Sequence, residues 1–166
     1  MKARKIARLA LLTAIALIIF IIELQIPNII PIPGVKLGLA NIVTVYSVYK
    51  YSAKETAAIV IIRVILGAIF GGNIAAIMYS MSGALLCLAG MLLIKRIVPL
   101  NYIWVSSILG AILHNTGQMI VAVIVMRSFA VISVYPFLLV SGCIAGAFTG
   151  LCAQFLIKRG SLEKTI

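Results

Sequence analysis

Six apolar runs alternate with short polar breaks along the chain, at about 6–26, 37–50, 56–72, 74–94, 101–126 and 129–157. Five of them reach the roughly 17 to 25 residues that a helix needs to cross a bilayer. The second, Leu37 to Lys50, is short, and a run of that length can be re-entrant instead. The pattern predicts one all-α integral membrane domain over residues 1–166, with no separate soluble domain.

Charge parity decides how the short run is read. If all six runs cross and the N-terminus is inside, the inside holds Lys2, Arg4, Lys5, Arg8, Lys50, Lys54, Lys95, Arg96, Lys158, Arg159 and Lys164. The outside then holds Lys36 and Arg127, and Arg63 lies within a span. If the second run does not cross, every later loop changes side and most of the positive charge moves outside. Cytoplasmic loops carry the excess of Lys and Arg, so six transmembrane helices with both termini cytoplasmic, in the plasma membrane, are expected. Tyr46, Tyr49 and Tyr51 cluster at the inner end of the second run, as an interfacial aromatic belt does.

The linker Ile26-Pro27-Asn28-Ile29-Ile30-Pro31-Ile32-Pro33-Gly34 cannot be regular helix, because its prolines remove donors and obstruct helical turns. It is expected at the outer interface, either as a tight connection or as a cap over a site. Small residues mark close helix faces in lipid. Ala3, Ala7, Ala10 and Ala14 recur at spacings of four, three and four, and Gly142, Gly146 and Gly150 form a doubled GxxxG. Each face serves either packing within the monomer or docking of another membrane protein.

Composition sharpens this picture. The chain is 64% hydrophobic and 10% charged, with Glu23, Glu55 and Glu163 as its only acidic side chains and no Asp. A net charge of +11 in a soluble protein raises nucleic acid as a partner, but here the charges sit in small clusters between apolar runs, which is topology. There is no P-loop, no acidic cluster to hold Mg²⁺ against a diphosphate, and no nucleophile with an assignable base beside the single histidine. Cys87, Cys143 and Cys152 form no CxxC pair. An autonomous enzyme, a bound metal and a cofactor are therefore not expected.

Ionisable groups inside a span are costly and turn toward the bundle interior. Arg63 lies in the third run and His114 in the fifth, followed by Asn115 and Gln118. His114 and Gln118 are four residues apart and share a helix face that Ser106 and Gly110 continue. Glu23, Lys36, Asn41 and Asn73 gather in the outer half, and Arg127 ends the fifth run. A small anionic or amphipathic molecule, bound by Arg63, His114, Asn115, Gln118, Lys36, Asn41, Glu23 and Asn73, is one reading of this cluster. A Glu23–Arg63 pair, with the outer cations reaching the headgroups, is the other.

The stretches Pro33-Gly34-Val35-Lys36-Leu37-Gly38-Leu39-Ala40-Asn41, Tyr79-Ser80-Met81-Ser82-Gly83-Ala84 and Gly110-Ala111-Ile112-Leu113-His114-Asn115-Thr116-Gly117-Gln118 carry a family resemblance. Together they make the chain resemble the heptaprenyl diphosphate synthase component I family, also called the Gx transporter family, over nearly its whole length. That family is in turn similar to the substrate-binding S components of energy-coupling factor transporters. This second resemblance implies a six-helix bundle, a vitamin or related small molecule bound near the outer face, a membrane coupling protein and two cytoplasmic ATPases. It also implies docking of the coupling protein on an Ala-xxx-Ala face, here Ala10 and Ala14 extended by Ala7. The synthase name implies instead a non-catalytic membrane accessory subunit in isoprenoid synthesis, since prenyl elongation needs Asp-rich Mg²⁺ sites and this chain has no Asp.

Overall fold

A computed structural model describes residues 2–25 and 38–162, and every regular element within them is a helix. In chain order these are α1 (Lys2–Gln25), α2 (Asn41–Lys50), α3 (Ala53–Phe70), α4 (Ala76–Ile94), α5 (Ile103–Met126) and α6 (Tyr135–Leu162). Short 3₁₀ turns at Leu100–Tyr102 and Phe129–Val134 precede α5 and α6. The proline-rich linker, and Lys36 with it, lies outside the described residues.

Local chemistry sets the helix ends. Ser52 and Glu55 form a reciprocal capping box at the start of α3: the Ser52 Oγ accepts from the Glu55 N–H at 3.4 Å, and the Glu55 carboxylate accepts from the Ser52 N–H at 3.0 Å. The Asn73 side-chain oxygen accepts from the Ala76 N–H and opens α4. Arg127 ends α5 in the left-handed conformation, at φ 47°. The sixth run is apolar from residue 129, yet α6 begins only at Tyr135. Pro136 accounts for this start, because a proline is tolerated in the first turn, where its missing N–H has no partner to lose.

Among the described residues, four helical stretches are long and apolar enough to cross a membrane: Ala3–Gln25, Ala76–Ile94, Leu100–Met126 and Phe129–Gly160. They fit a multi-pass membrane protein. Their outward faces carry Phe137, Ile144, Phe148 and Phe155, all well exposed and all suited to lipid. Helix α3 has 18 residues and includes Lys54, Glu55 and Arg63. Helix α2 has only 10 residues. At about 1.5 Å per residue it rises roughly 15 Å, half of a hydrocarbon core of about 30 Å.

Neighbouring helices close a ring in the order α1, α3, α4, α5, α6, α2, with α2 also reaching α4 across the interior. One end of the ring is basic, and polar links gather there. Lys5 pairs with Glu55 and joins α1 to α3. The Lys95 ammonium donates to the Val48 carbonyl at 2.5 Å and sits over the Tyr49 ring, joining α4 to α2. The Tyr49 hydroxyl donates to the Ser106 hydroxyl at 2.7 Å, joining α2 to α5. Val45, Val48, Cys87, Leu88, Met91, Ile103, Ala153 and Ile157 form the apolar core beneath these links.

The two small-residue faces meet different fates. The glycine face of α6 is spent inside the monomer: a Cβ on Gly150 would lie 2.5 Å from the Trp104 Cα, one on Gly146 would lie 2.9 Å from the Ile108 Cα, and one on Gly142 would strike Asn115. The docking alternative for that face is thereby excluded. The face of α1 that carries Ala7, Ala10 and Ala14 is exposed, while Ala16 turns inward onto Val43 and Ile59.

Gly150→Leu is expected to force α5 and α6 apart and lower stability by about 2 kcal/mol or more, read as a fall in thermal unfolding temperature in detergent; an unchanged temperature would contradict the close approach. The Lys5 ammonium, with the Ser52 N–H, holds the Glu55 carboxyl down to about 2. A carboxylate whose pKa is depressed on folding contributes stability above its unfolded value and loses it as pH falls toward the folded one. The difference in unfolding temperature between the native protein and Glu55→Gln should therefore be constant from pH 7 to about 5 and shrink between about 4.5 and 2. A difference that persists undiminished to pH 2 would refute the link.

Candidate functional site

At the end of the ring opposite the basic one, α1, α3, α4 and α5 surround a polar cavity of about 160 Å³. Glu23 enters from the last turn of α1 and Asn41 from the start of α2. Arg63 points in from the middle of α3, Asn73 and Ser80 from the start of α4, and His114 and Gln118 from α5. Of the residues singled out in the sequence, Glu23, Asn41, Arg63, Asn73, His114 and Gln118 thus line one cavity. Lys36 lies outside the described residues. Asn115 does not line the cavity; its side-chain N–H donates to the Leu138 carbonyl at 2.6 Å and fastens α5 to α6.

Glycines admit these side chains. Gly83 on α4 meets α5 so closely that a Cβ there would lie 2.7 Å from the His114 carbonyl and 2.9 Å from the Gln118 Cγ. Gly117 meets α4 from the other side, and the Ser82 hydroxyl donates to its carbonyl at 3.0 Å. Gly67 leaves room for the Phe20 ring, which forms part of the wall. Gly38 turns through φ +77°, a left-handed conformation that spares the backbone a clash, and its N–H donates to Glu23 at 2.5 Å.

Burial raises the demand on each polar group in the site. Arg63, His114, Gln118 and Glu23 are all buried. The Arg63 Nε and the His114 Nδ1 have no hydrogen-bond partner among the described residues. Buried polar atoms in native proteins are almost always partnered, and each orphan costs about 1–3 kcal/mol. Glu23 attracts Arg63 across the cavity; the other described carboxylate, Glu55, lies at the opposite end of the ring. A guanidinium, an imidazole and three amides around such a space can hold a compact anion by charge-assisted hydrogen bonds. The enclosed volume is well below the roughly 300–1,000 Å³ of a drug-sized ligand pocket. It suits a carboxylate or phosphate headgroup, with the rest of the molecule lying elsewhere.

The sequence pattern missed Ser80, Phe20 and the close-packing glycines Gly67 and Gly83. Ser80 and Gly83 belong to the Tyr79–Ala84 motif, whose small residues between two apolar helices were the available signal. Among the described residues no group of His, Cys, Asp or Glu is arranged to hold a metal ion.

The class of protein these features define is a helical multi-pass membrane protein with a buried polar cavity at one end. The chain belongs to the heptaprenyl diphosphate synthase component I family, whose family model matches residues 12–156. No curated protein and no solved structure matches it.

Removing Glu23 leaves the buried Arg63 charge without its nearby carboxylate, so Glu23→Gln should destabilise by about 3 kcal/mol. Adding Arg63→Met should recover much of that loss. Thermal unfolding of both single variants and the double variant gives the coupling; strictly additive effects would mean the two charges do not interact.

Proposed function

We propose that this chain is the non-catalytic membrane component of a two-component prenyl diphosphate synthase, working beside a separate soluble catalytic component. The observation that carries this reading is membership of the component I family across most of the chain. The chain's own chemistry agrees with an accessory role, because its three glutamates lie far apart in sequence and it has no Asp with which to bind Mg²⁺ against a diphosphate. The bundle crosses the plasma membrane six times with both termini in the cytoplasm, as the positive-inside distribution of Lys and Arg favours. Its cavity binds the anionic head of a small amphipathic molecule through Arg63, His114, Gln118, Asn41 and Asn73, balanced by Glu23.

A second reading is favoured by two observations. The polar cavity sits at the end away from the basic clusters, and the Ala7, Ala10 and Ala14 face of α1 is left exposed. A substrate-binding S component of an energy-coupling factor transporter needs both features: an outward site for a vitamin-like ligand, and a helix face for the coupling protein that works with two ATPases.

Co-purification separates the two. On the synthase reading, the tagged chain retains a soluble Asp-rich prenyl synthase and raises its product yield. Recovery of ATPases and a coupling protein instead, with no gain in synthase activity, would favour uptake. On either reading Arg63→Ala and His114→Ala should each weaken ligand binding by tenfold or more, roughly the value of one charge-assisted hydrogen bond. Full affinity in both variants would remove the ligand from this cavity.

A further inference from the structure

A second concavity lies on the flank of the bundle. Helix α2 separates α1 from α6 and, being short, stands recessed between them. The result is a lateral apolar groove of about 320 Å³ with Leu12, Ile15 and Ile19 on one wall, Ile42 and Tyr46 on the floor and Leu156 on the other wall. It is about twice as roomy as the polar cavity and reaches the lower range of small-molecule pockets, roughly 300 Å³.

The groove has a direction. Arg8, Leu12, Ile15 and Ile19 recur at spacings of four, three and four, so they lie along one face of α1, with the cation at the basic end. Leu156 and Arg159 are three apart on α6, and Arg159 lies one turn nearer the same end. Helix α2 finishes there with Lys50, two turns beyond Ile42 and one beyond Tyr46 on the same face. An apolar channel thus opens toward three cations on three helices, with the Tyr46 phenol on its floor. This polarity matches one chemistry, an amphiphile with an apolar chain and an anionic head.

We propose that this groove holds the chain of an isoprenoid diphosphate, with its diphosphate against Arg8, Lys50 and Arg159 at the basic end. The assignment rests on the accessory-component reading and locates the isoprenoid on the side of the membrane where a soluble synthase meets it. It is separate from the polar cavity, which lies at the other end of the ring.

The test is binding of geranylgeranyl diphosphate to the full-length protein in phosphatidylcholine nanodiscs. Ile15 and Leu156 are 39% and 50% exposed, so tryptophan there fills the groove without disturbing the core. Ile15→Trp and Leu156→Trp should each weaken binding about tenfold or more, as loss of a central apolar contact does. Ile144→Trp, on an exposed face of α6 outside the groove, should not. Arg8→Gln should weaken the diphosphate but leave uncharged geranylgeraniol unaffected. Unchanged binding in both groove variants overturns the proposal. If Arg63→Ala abolishes binding in that case, the ligand sits in the polar cavity and the accessory reading survives. Equal displacement by phosphatidylglycerol makes the groove an ordinary anionic-lipid site and overturns the isoprenoid assignment. Groove binding as expected with no effect on a synthase overturns the accessory reading and leaves the groove.

Discussion

Lipid tails are as apolar as leucine, so helices in a bilayer gain little by hiding apolar surface from one another. What holds them is contact at short range, and in this protein that contact runs through α5. Gly83 and Gly117 bring α4 and α5 to backbone distance, Gly146 and Gly150 do the same for α6, and Gly142 makes room for the Asn115 side chain. Helix α5 is clamped on both sides by residues without side chains. The clamp fixes its rotation, and rotation decides where its polar face points. His114 and Gln118 are turned into the cavity, and Asn115 is turned away onto the Leu138 carbonyl. A bulky residue at any of these glycines would separate the helices and also re-aim the candidate ligands.

The second constraint is the buried charge on α3. Arg63 cannot reach water easily from the middle of its helix, and its neighbours must answer for it. Glu23 does so in part, and Glu23 is itself held by the backbone N–H of Gly38 at the turn into α2. The ends of α1 and α2 are thereby coupled to the centre of α3 through one carboxylate. Anything that binds the guanidinium competes with Glu23.

Most of the architecture was legible in the chain. Apolar runs and the absence of Asp announced membrane helices, and helical spacing put His114 and Gln118 on one face. Six of the eight residues picked as ligands converge on one cavity because intramembrane polar side chains have few other places to go. Other features were not legible. Spacing alone cannot tell whether a small-residue ridge faces a neighbour or a partner; the α6 glycines proved internal and the α1 alanines exposed. Asn115 looked like a ligand because it sits beside His114, but a helix turns about 100° per residue, and that turn carries it to the opposite interface. The recessed groove was invisible because it depends on the shortness of α2, which its apolar run overstated.

The bundle is thus polarised: a buried polar cavity at one end, and a flank groove opening toward cations at the other. On the proposed accessory reading, the groove and not the cavity is the place of the isoprenoid diphosphate. Native mass spectrometry of the full chain, gently extracted from its own membrane, tests the account most directly. The account predicts a retained small molecule with the mass of an isoprenoid diphosphate or its monophosphate, lost on exchange with excess geranylgeranyl diphosphate. A retained water-soluble vitamin, with no isoprenoid present, would contradict it.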